Sequence, residues 1–424
     1  MWLDGNRLTR LTKSFRTAVL ELAPEGRLLF LTRFVRLFSY GSLSVVLVFY
    51  LTGLGLSESE SGLLLTLILL GDTAVSLCMT TQADRIGRRR MLIIGALLMA
   101  GAGVVFAFTH QLWLLMVAGT IGVISPSGNE VGPFLSIEQA ALSQVIPSTA
   151  RTEVFAWYTM AGAFATAAGA LAAGFLTQSL ERTASMTPLA SERVIVFLYA
   201  ALGLLLAALF LRLSPKAEAA STSLAKTRLG IGASRHVIFR LAGLFALDAF
   251  GGGFVVQSLA AYWFYLRFHI SPAALGGIFF WANVFAGISA LLASRLAARI
   301  GLVRTMVFTH LPSNVLLILV PLMPNVQLAV LVLLLRFSIS QMDVPTRQSY
   351  TMAIVRPEER SAAAGITGVA RTTGAAIAPW IAGFLLGRPS LINLPFFLAG
   401  VVKIAYDLLL YRAFVRRPPP EEVA

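Results

Sequence analysis

The sequence predicts an all-α membrane protein with twelve transmembrane helices in two pseudo-symmetric bundles of six. Three observations predict it. Hydrophobic residues make up 57% of the 424 and charged residues only 13%, whereas a soluble domain is about 45–50% apolar and about 25% charged. Twelve apolar segments follow one another, each near the ~20 residues a helix needs to cross hydrocarbon. Short motifs of the first half recur, in the same order, in the second.

The twelve segments are 28–53, 61–81, 91–109, 112–135, 154–176, 194–213, 238–264, 273–294, 303–323, 326–345, 362–386 and 391–414. They are too long for barrel strands and do not alternate. The short loops between them force antiparallel neighbours. Ahead of the first, residues 1–27 carry Leu8, Leu11, Phe15, Val19 and Leu22 at helical spacing, with Arg7, Arg10, Lys13 and Arg16 between. A basic helix lying on the cytoplasmic interface suits that pattern, and so does an unstructured basic arm. No cleaved signal peptide is expected at the Met1 end. Cys78 is the one cysteine, so no disulfide framework is expected.

Charge sets the orientation. The stretch Asp84-Arg85-Ile86-Gly87-Arg88-Arg89-Arg90 separates two apolar runs and cannot lie in hydrocarbon. Positive loops stay cytoplasmic. By alternation, 24 of the 34 lysines and arginines fall inside, four outside (Arg182, Arg193, Arg267 and Arg388) and six in spans. Both termini are therefore expected in the cytoplasm of a cell whose plasma (inner) membrane holds the protein. The net charge of +14 sits in these loops, where anionic lipid headgroups explain it. Nucleic acid is not an expected partner, and a monomer is.

Residues 214–235 are polar, basic and rich in Ala and Ser, and divide the helices six and six. The expected units are 28–213, the linker 214–235, 236–414 and a tail 415–424. The repeat agrees with this division. Arg151 opens the fifth helix, and Arg360 opens the eleventh 209 positions later. At that offset Gly174-Phe175 matches Gly383-Phe384 and Gln139 matches Gln348. Arg85-Ile86-Gly87 is echoed 214 positions on by Arg299-Ile300-Gly301. Two homologous six-helix halves define a known transporter architecture.

With Asp84, Arg85, Gly87, Arg88 and Arg89 in the loop between helices two and three, the chain resembles the major facilitator superfamily (MFS) over nearly its whole length. The family's leading glycine position in that motif is Thr80 here. The resemblance implies the MFS fold and a secondary transporter rather than an enzyme, with no cofactor. Similarity to drug/proton antiporter-type exporters is partial. Their helix-four arginine is missing from Val117 to Gly122. Helix five keeps Gly162, Gly169 and Gly174 but has Ala170 at the proline place. Helix eleven carries Gly374, Pro379 and Gly383.

Ionisable groups within spans cost about 2.5–3.5 kcal/mol on insertion scales. Arg36, Asp72, Asp248, Arg336, Arg371 and Lys403 all lie roughly 12–18 Å from a span edge at 1.5 Å per residue. They cluster near one plane. Two readings stand: a polar central cavity, or charges paired between helices for packing. Arg36, Arg336, Arg371, Asn129 and Gln257 are the substrate candidates. Asp72, Asp248 and Glu130 are the proton-coupling candidates. The set leans positive, which favours an anionic or zwitterionic solute over a cationic drug.

Several pairings are expected on spacing. Arg36 is to pair with Asp72, and Lys403 with Asp407 four residues away. Arg33 is to snorkel to the surface. Glu138 and Arg347 match at the 209 offset and are to close a cytoplasmic gate with Asp343. Asp84 is to latch onto the start of helix eleven near Ser361. Helix four is to break at Ser125-Pro126-Ser127-Gly128-Asn129-Glu130 and Gly132-Pro133. Gly251-Gly252-Gly253 is either a hinge or a close-packed patch. Tyr262, Trp263, Phe264 and Tyr265 are to form an interfacial belt. Trp157, Tyr158, Trp281 and Trp380 either line the site or face lipid. His110, His236, His269 and His310 lie far apart without metal-ligand spacing. The expected function is proton-coupled efflux of a small organic solute by alternating access. Alternatives are a proton symporter importing an anionic or polar metabolite, and a non-transporting receptor or assembly factor on the same fold.

Overall fold

A computed structural model describes residues 22–129, 132–146, 151–214, 218, 234–356 and 359–416, without the side chains of residues 84, 151–153 and 361. The described residues form fifteen α-helices and no strand. In chain order they are α1 (Pro24–Gly53), α2 (Glu58–Ile86), α3 (Arg88–Phe108), α4 (Leu112–Ile121), α5 (Phe134–Val145), α6 (Arg151–Thr183), α7 (Pro188–Phe210) and α8 (Arg235–Gly253). Then come α9 (Gln257–Phe268), α10 (Pro272–Ile300), α11 (Leu302–Leu319), α12 (Val326–Ser340), α13 (Asp343–Ile354), α14 (Arg360–Leu386) and α15 (Leu394–Phe414).

Among the described residues, eleven spans are long and apolar enough to cross a membrane, and the ten-residue apolar α4 begins a twelfth. Three of the twelve are broken into two helices: α4 with α5, α8 with α9, and α12 with α13. The first break falls where two prolines and two glycines are expected to interrupt helix four. Gly128 and Gly132 there adopt φ of 70° and 76°, a region that costs a side-chain-bearing residue about 1–2 kcal/mol. Irregular backbone at this depth is tolerated where it lines a cavity or packs on protein.

Local signals start the helices. Ser57 and Glu60 make a reciprocal capping box at α2. Thr187, Ser271 and Asn325 cap α7, α10 and α12 with their side chains. α3 has no such cap of its own. Its free amides are met from the linker, where Glu218 accepts from the Arg88 and Arg89 N–H groups at 2.6 and 3.1 Å. Gly87 (φ 110°) and its repeat partner Gly301 (φ 88°) make the same turn in each half.

The packing repeats as the motifs do. α1 packs on α6 and α8 on α14; α3 packs on α7 and α11 on α15. Between the halves, α2 meets α14 and α6 meets α10. Glycine makes these crossings possible. A Cβ on Gly62 would overlap the Pro379 carbonyl, and one on Gly383 the Glu58 carbonyl. Gly174 meets Pro272 and Gly276 in the same way. Small residues at such crossings let backbones approach. Gly251 and Gly253 pack against Ala399 and Ala375, which is the close-packed reading of that triplet.

The aromatic belt is a correction. Trp263 and Phe264 are fully buried and Tyr262 nearly so; only Tyr265 is exposed. Trp263 packs on Phe396, and its Nε1–H donates to Asn393 at 3.1 Å. The helix α9 turns these rings against its neighbours, so the cluster packs inside the bundle. The residues of the basic N-terminal segment up to 21, and most of the linker, lie outside the described residues, while α1 already begins at Pro24.

Candidate functional site

Two ion pairs frame the site. On α1, Arg36 Nη2 lies 2.9 Å from Glu138 Oε2 on α5, both fully buried. Glu138 also accepts from Thr32 Oγ1 at 3.1 Å and from the Tyr158 hydroxyl. On α8, Asp248 Oδ2 lies 3.1 Å from Arg347 Nη1 on α13. Arg347 also holds Asp343 at 2.9 Å. Arg347 stands 209 positions after Glu138, and Asp248 stands on the first helix of its half as Arg36 does. The two pairs join corresponding helices with their signs exchanged.

Glu138 and Arg347 therefore do not pair with each other. Each is satisfied within its own half. Arg36 does not pair with Asp72 either. The Asp72 carboxylate accepts from the Gly132 N–H and from Ser76 Oγ at 3.4 Å, so it ties α2 to the α4–α5 break. The break leaves amides without helical partners, and a carboxylate is their best acceptor.

Around Asp248 a wider network forms. Lys403 Nζ on α15 contacts Asp248 Oδ1 at 2.6 Å, so Lys403 reaches across to α8 and not along its own helix to Asp407. Asp407 instead receives His310 Nδ1 at 2.8 Å and Asn314 Nδ2 at 2.9 Å, both from α11. His310 Nε2 stands 3.7 Å from Asp248 Oδ1. Helices α11 and α15 thus carry part of the centre. Asn314 lies four residues after His310, and Asp407 four after Lys403, so each pair shares a helix face. That spacing was the available signal for the network; what it lacked was the partner helix.

Arg336 on α12 and Arg371 on α14 feel the charges of Asp248 and Asp343. Among the described residues neither makes an ion pair, and the Nε of each is buried without a hydrogen-bond partner. Both residues are half-buried. Arg336 lies over the Phe337 ring at 4.9 Å.

The chain matches the family model for the Major Facilitator Superfamily over residues 29–339 and 241–424. The chain belongs to the major facilitator superfamily. It is 30% identical, over 426 residues, to a Saccharomyces cerevisiae protein named Uncharacterized membrane protein YJR124C, covering 92% of this chain and 94% of that one. Its fold is similar to that of a point mutant of the nucleoside transporter NupG, at TM-score 0.74 and 12% identity, over 92% of this chain and 100% of that one. It is also similar to a D-xylose-proton symporter, at TM-score 0.72 and 17% identity, over 91% and 97%. As a superfamily member this is an integral membrane transporter, with the twelve-helix fold expected of it.

Within this MFS fold the other sequence-derived candidates fall as follows. Gln257 is 9% exposed; its Nε2 donates to Ser44 at 2.8 Å and its Oε1 accepts from Asn283 at 3.0 Å, so it bridges α9, α1 and α10. Asn129 sits exposed in the α4–α5 break, held through its backbone by Ser125 and Ser127. Glu130 lies outside the described residues, and so do the side chains of Asp84 and Ser361 on which the latch depends. Arg85 is exposed at the end of α2, and Arg88 and Arg89 open α3 on either side of the Glu218 contact. Arg33 does not snorkel. It is 4% exposed, its guanidinium lies 4.3 Å over the Tyr158 ring, and it packs on Gly162. Tyr158 is fully buried, while Trp281 and Trp380 are exposed.

Among the described residues, the hydrogen bonds that link the two halves lie at the centre or toward the end opposite the arginine-rich loops. These are Gln257–Ser44, Ser258–Pro126, Tyr262–Glu58, Ala273–Gln178 and Trp380–Thr66. Phe49 adds edge-on contacts to Tyr262 and Tyr265 at that end. Toward the arginine-rich side, Gly365 and Gly368 on α14 face open space.

Proposed function

We propose that this protein is a proton-coupled secondary transporter of a small anionic or zwitterionic organic solute, working by alternating access of two halves, 28–213 and 236–414. The observation that carries the reading is the pair Arg336 and Arg371. Two half-buried guanidinium groups at mid-depth, each with a buried Nε lacking a hydrogen-bond partner and without an ion-pair partner among the described residues, call for an anion. Carboxylate and phosphate geometry suits them, and a cationic drug would meet repulsion.

The cross-half hydrogen bonds toward the end opposite the arginine-rich loops support reading the state described here as closed at that end. With those loops and both termini in the cytoplasm of a plasma (inner) membrane, as charge bias favours, it is the inward-facing state. Ligand binding then shifts populations between inward-facing and outward-facing forms. Proton coupling is supported by the carboxylate network at Asp248, whose cations a proton would release to the solute. Sharing one network makes proton and anion bind together, which is symport. Asp72 is read as holding the α4–α5 break. The exporter-like glycines of α14, with Pro379, favour the opposite direction.

Purified protein in proteoliposomes tests this. A panel of radiolabelled monocarboxylates, dicarboxylates, organic phosphates, neutral sugars and lipophilic cations is offered with and without an inward proton gradient. Accumulation of an anionic class, enhanced by acid outside, is the expected result. Extrusion driven by the same gradient would select efflux. Transport confined to cations or sugars would overturn the anion reading.

A further inference from the structure

We propose that His310 is the group that carries the coupled proton. The inference rests on the transport reading above and assigns its proton to a residue outside the carboxylates considered there.

His310 is 4% exposed, on α11. It stands between two carboxylates. Asp407 Oδ1 is 2.8 Å from Nδ1, and Asp248 Oδ1 is 3.7 Å from Nε2. The first distance is a hydrogen bond; the second is an ion-pair distance, not yet a hydrogen bond. The short contact sets the tautomer. Asn314 Nδ2 stands 3.1 Å from the same Nδ1, but the 2.8 Å contact to the carboxylate is the shorter, so Nδ1–H is assigned to Asp407 and Nε2 is left with its lone pair on the Asp248 side. Asn314 Nδ2 holds the other oxygen of Asp407 at 2.9 Å, so the acceptor cannot rotate away. This is the arrangement in which a carboxylate orients an imidazole and stabilises its charged form.

The other groups facing His310 decide what a proton would do there. From α8 comes Asp248. From α13 comes Arg347, bound to Asp248 Oδ2 and to Asp343. From α15 come Lys403, bound to the same Asp248 oxygen that Nε2 faces, and Tyr406, whose ring stands edge-on at 5.9 Å. Arg336 and Arg371 lie beyond, within the field of Asp248.

A proton taken from water forms the Nε2–H bond and converts the imidazole to imidazolium. The new N–H donates to Asp248 Oδ1, in competition with Lys403. Asp248 then needs fewer cations, and Lys403 and Arg347 become available to the solute beside Arg336 and Arg371. Release of the anion returns Lys403 to Asp248, and the proton leaves Nε2 to water. Imidazole suits the task because one ring nitrogen can take a proton while the other keeps its carboxylate, so the new charge is not left buried and unpaired.

The test needs no solute. Full-length protein carrying Cys78→Ser is spin-labelled at Arg85→Cys and Arg360→Cys, which lie on the two halves at the arginine-rich side, and placed in lipid nanodiscs. Distance distributions are recorded from pH 5.5 to 8.5. A pH-dependent shift is expected in the parent, and its loss in His310→Gln. Asp407→Asn should retain the shift with its midpoint moved to lower pH, which guards against a variant that merely misfolds. Asp72→Asn should leave the shift intact. A full shift in His310→Gln, or none in the parent, overturns the proposal. If the shift follows His310 but the solute panel shows no anion transport, the substrate reading fails and the proton site stands.

Discussion

Glu138 on α5 and Arg347 on α13 hold corresponding places in the two halves and carry opposite charges. Each is neutralised by the first helix of its own half, Glu138 by Arg36 at 2.9 Å and Arg347 by Asp248 at 3.1 Å. The halves differ in what surrounds the pair. Arg36–Glu138 is sealed by Tyr158, Thr32 and the Phe134 ring, 4.7 Å from the Arg36 guanidinium. Asp248–Arg347 is shared with Lys403, Asp343 and the His310 side. One half holds a fixed clamp and the other a contested one.

The fixed clamp should be structural. Removing one charge from a buried pair costs about 3–5 kcal/mol, because the other is left uncompensated. Glu138→Gln should lower the unfolding midpoint in detergent markedly. Arg36→Met combined with Glu138→Leu should recover most of the loss. A single mutant as stable as the parent would contradict the assignment.

Arg336 and Arg371, without an ion pair among the described residues, should behave in the opposite way. Arg371→Gln and Arg336→Gln remove no ion pair, so stability should hold. A hydrogen bond to a charged group contributes about 1.5–3 kcal/mol. Loss of one should weaken anion binding roughly 10–100-fold, read as a raised KM with the maximal rate little changed. A loss of folded protein instead would place these side chains in packing.

The closed side depends on glycine. Gly62→Val or Gly383→Val puts atoms where the Pro379 and Glu58 carbonyls lie. Either substitution should pry α2 from α14 and raise the labelling rate of a cysteine placed near Gly55 several-fold. Gly365→Val, with nothing within 4 Å, should leave that rate alone.

Glu218 offers a milder test. It caps α3 from the linker through two backbone amides. Glu218→Ala should cost about 0.5–2 kcal/mol locally. Hydrogen exchange at the first turn of α3 should quicken while the rest of that helix is unchanged.

Apolar periodicity, prolines and the repeat determined a good deal. The spans, the broken helix at Pro126 and Pro133, and the correspondence of the halves follow from local composition, because a chain in hydrocarbon must satisfy its backbone within each helix. The residues that matter were legible for the same reason: an ionisable group in an apolar run stands out. Their partners were not. Arg36 with Asp72, Lys403 with Asp407 and Glu138 with Arg347 were each plausible by depth, spacing or symmetry. The tertiary structure chose Glu138, Asp248 and separate halves. Depth along a helix is set by a rise of 1.5 Å per residue and can be counted. Which face a helix turns to which neighbour depends on packing around the whole bundle. Glycine contacts such as Gly62 on Gly383, and side-chain reach such as Lys403 across to α8, decide it.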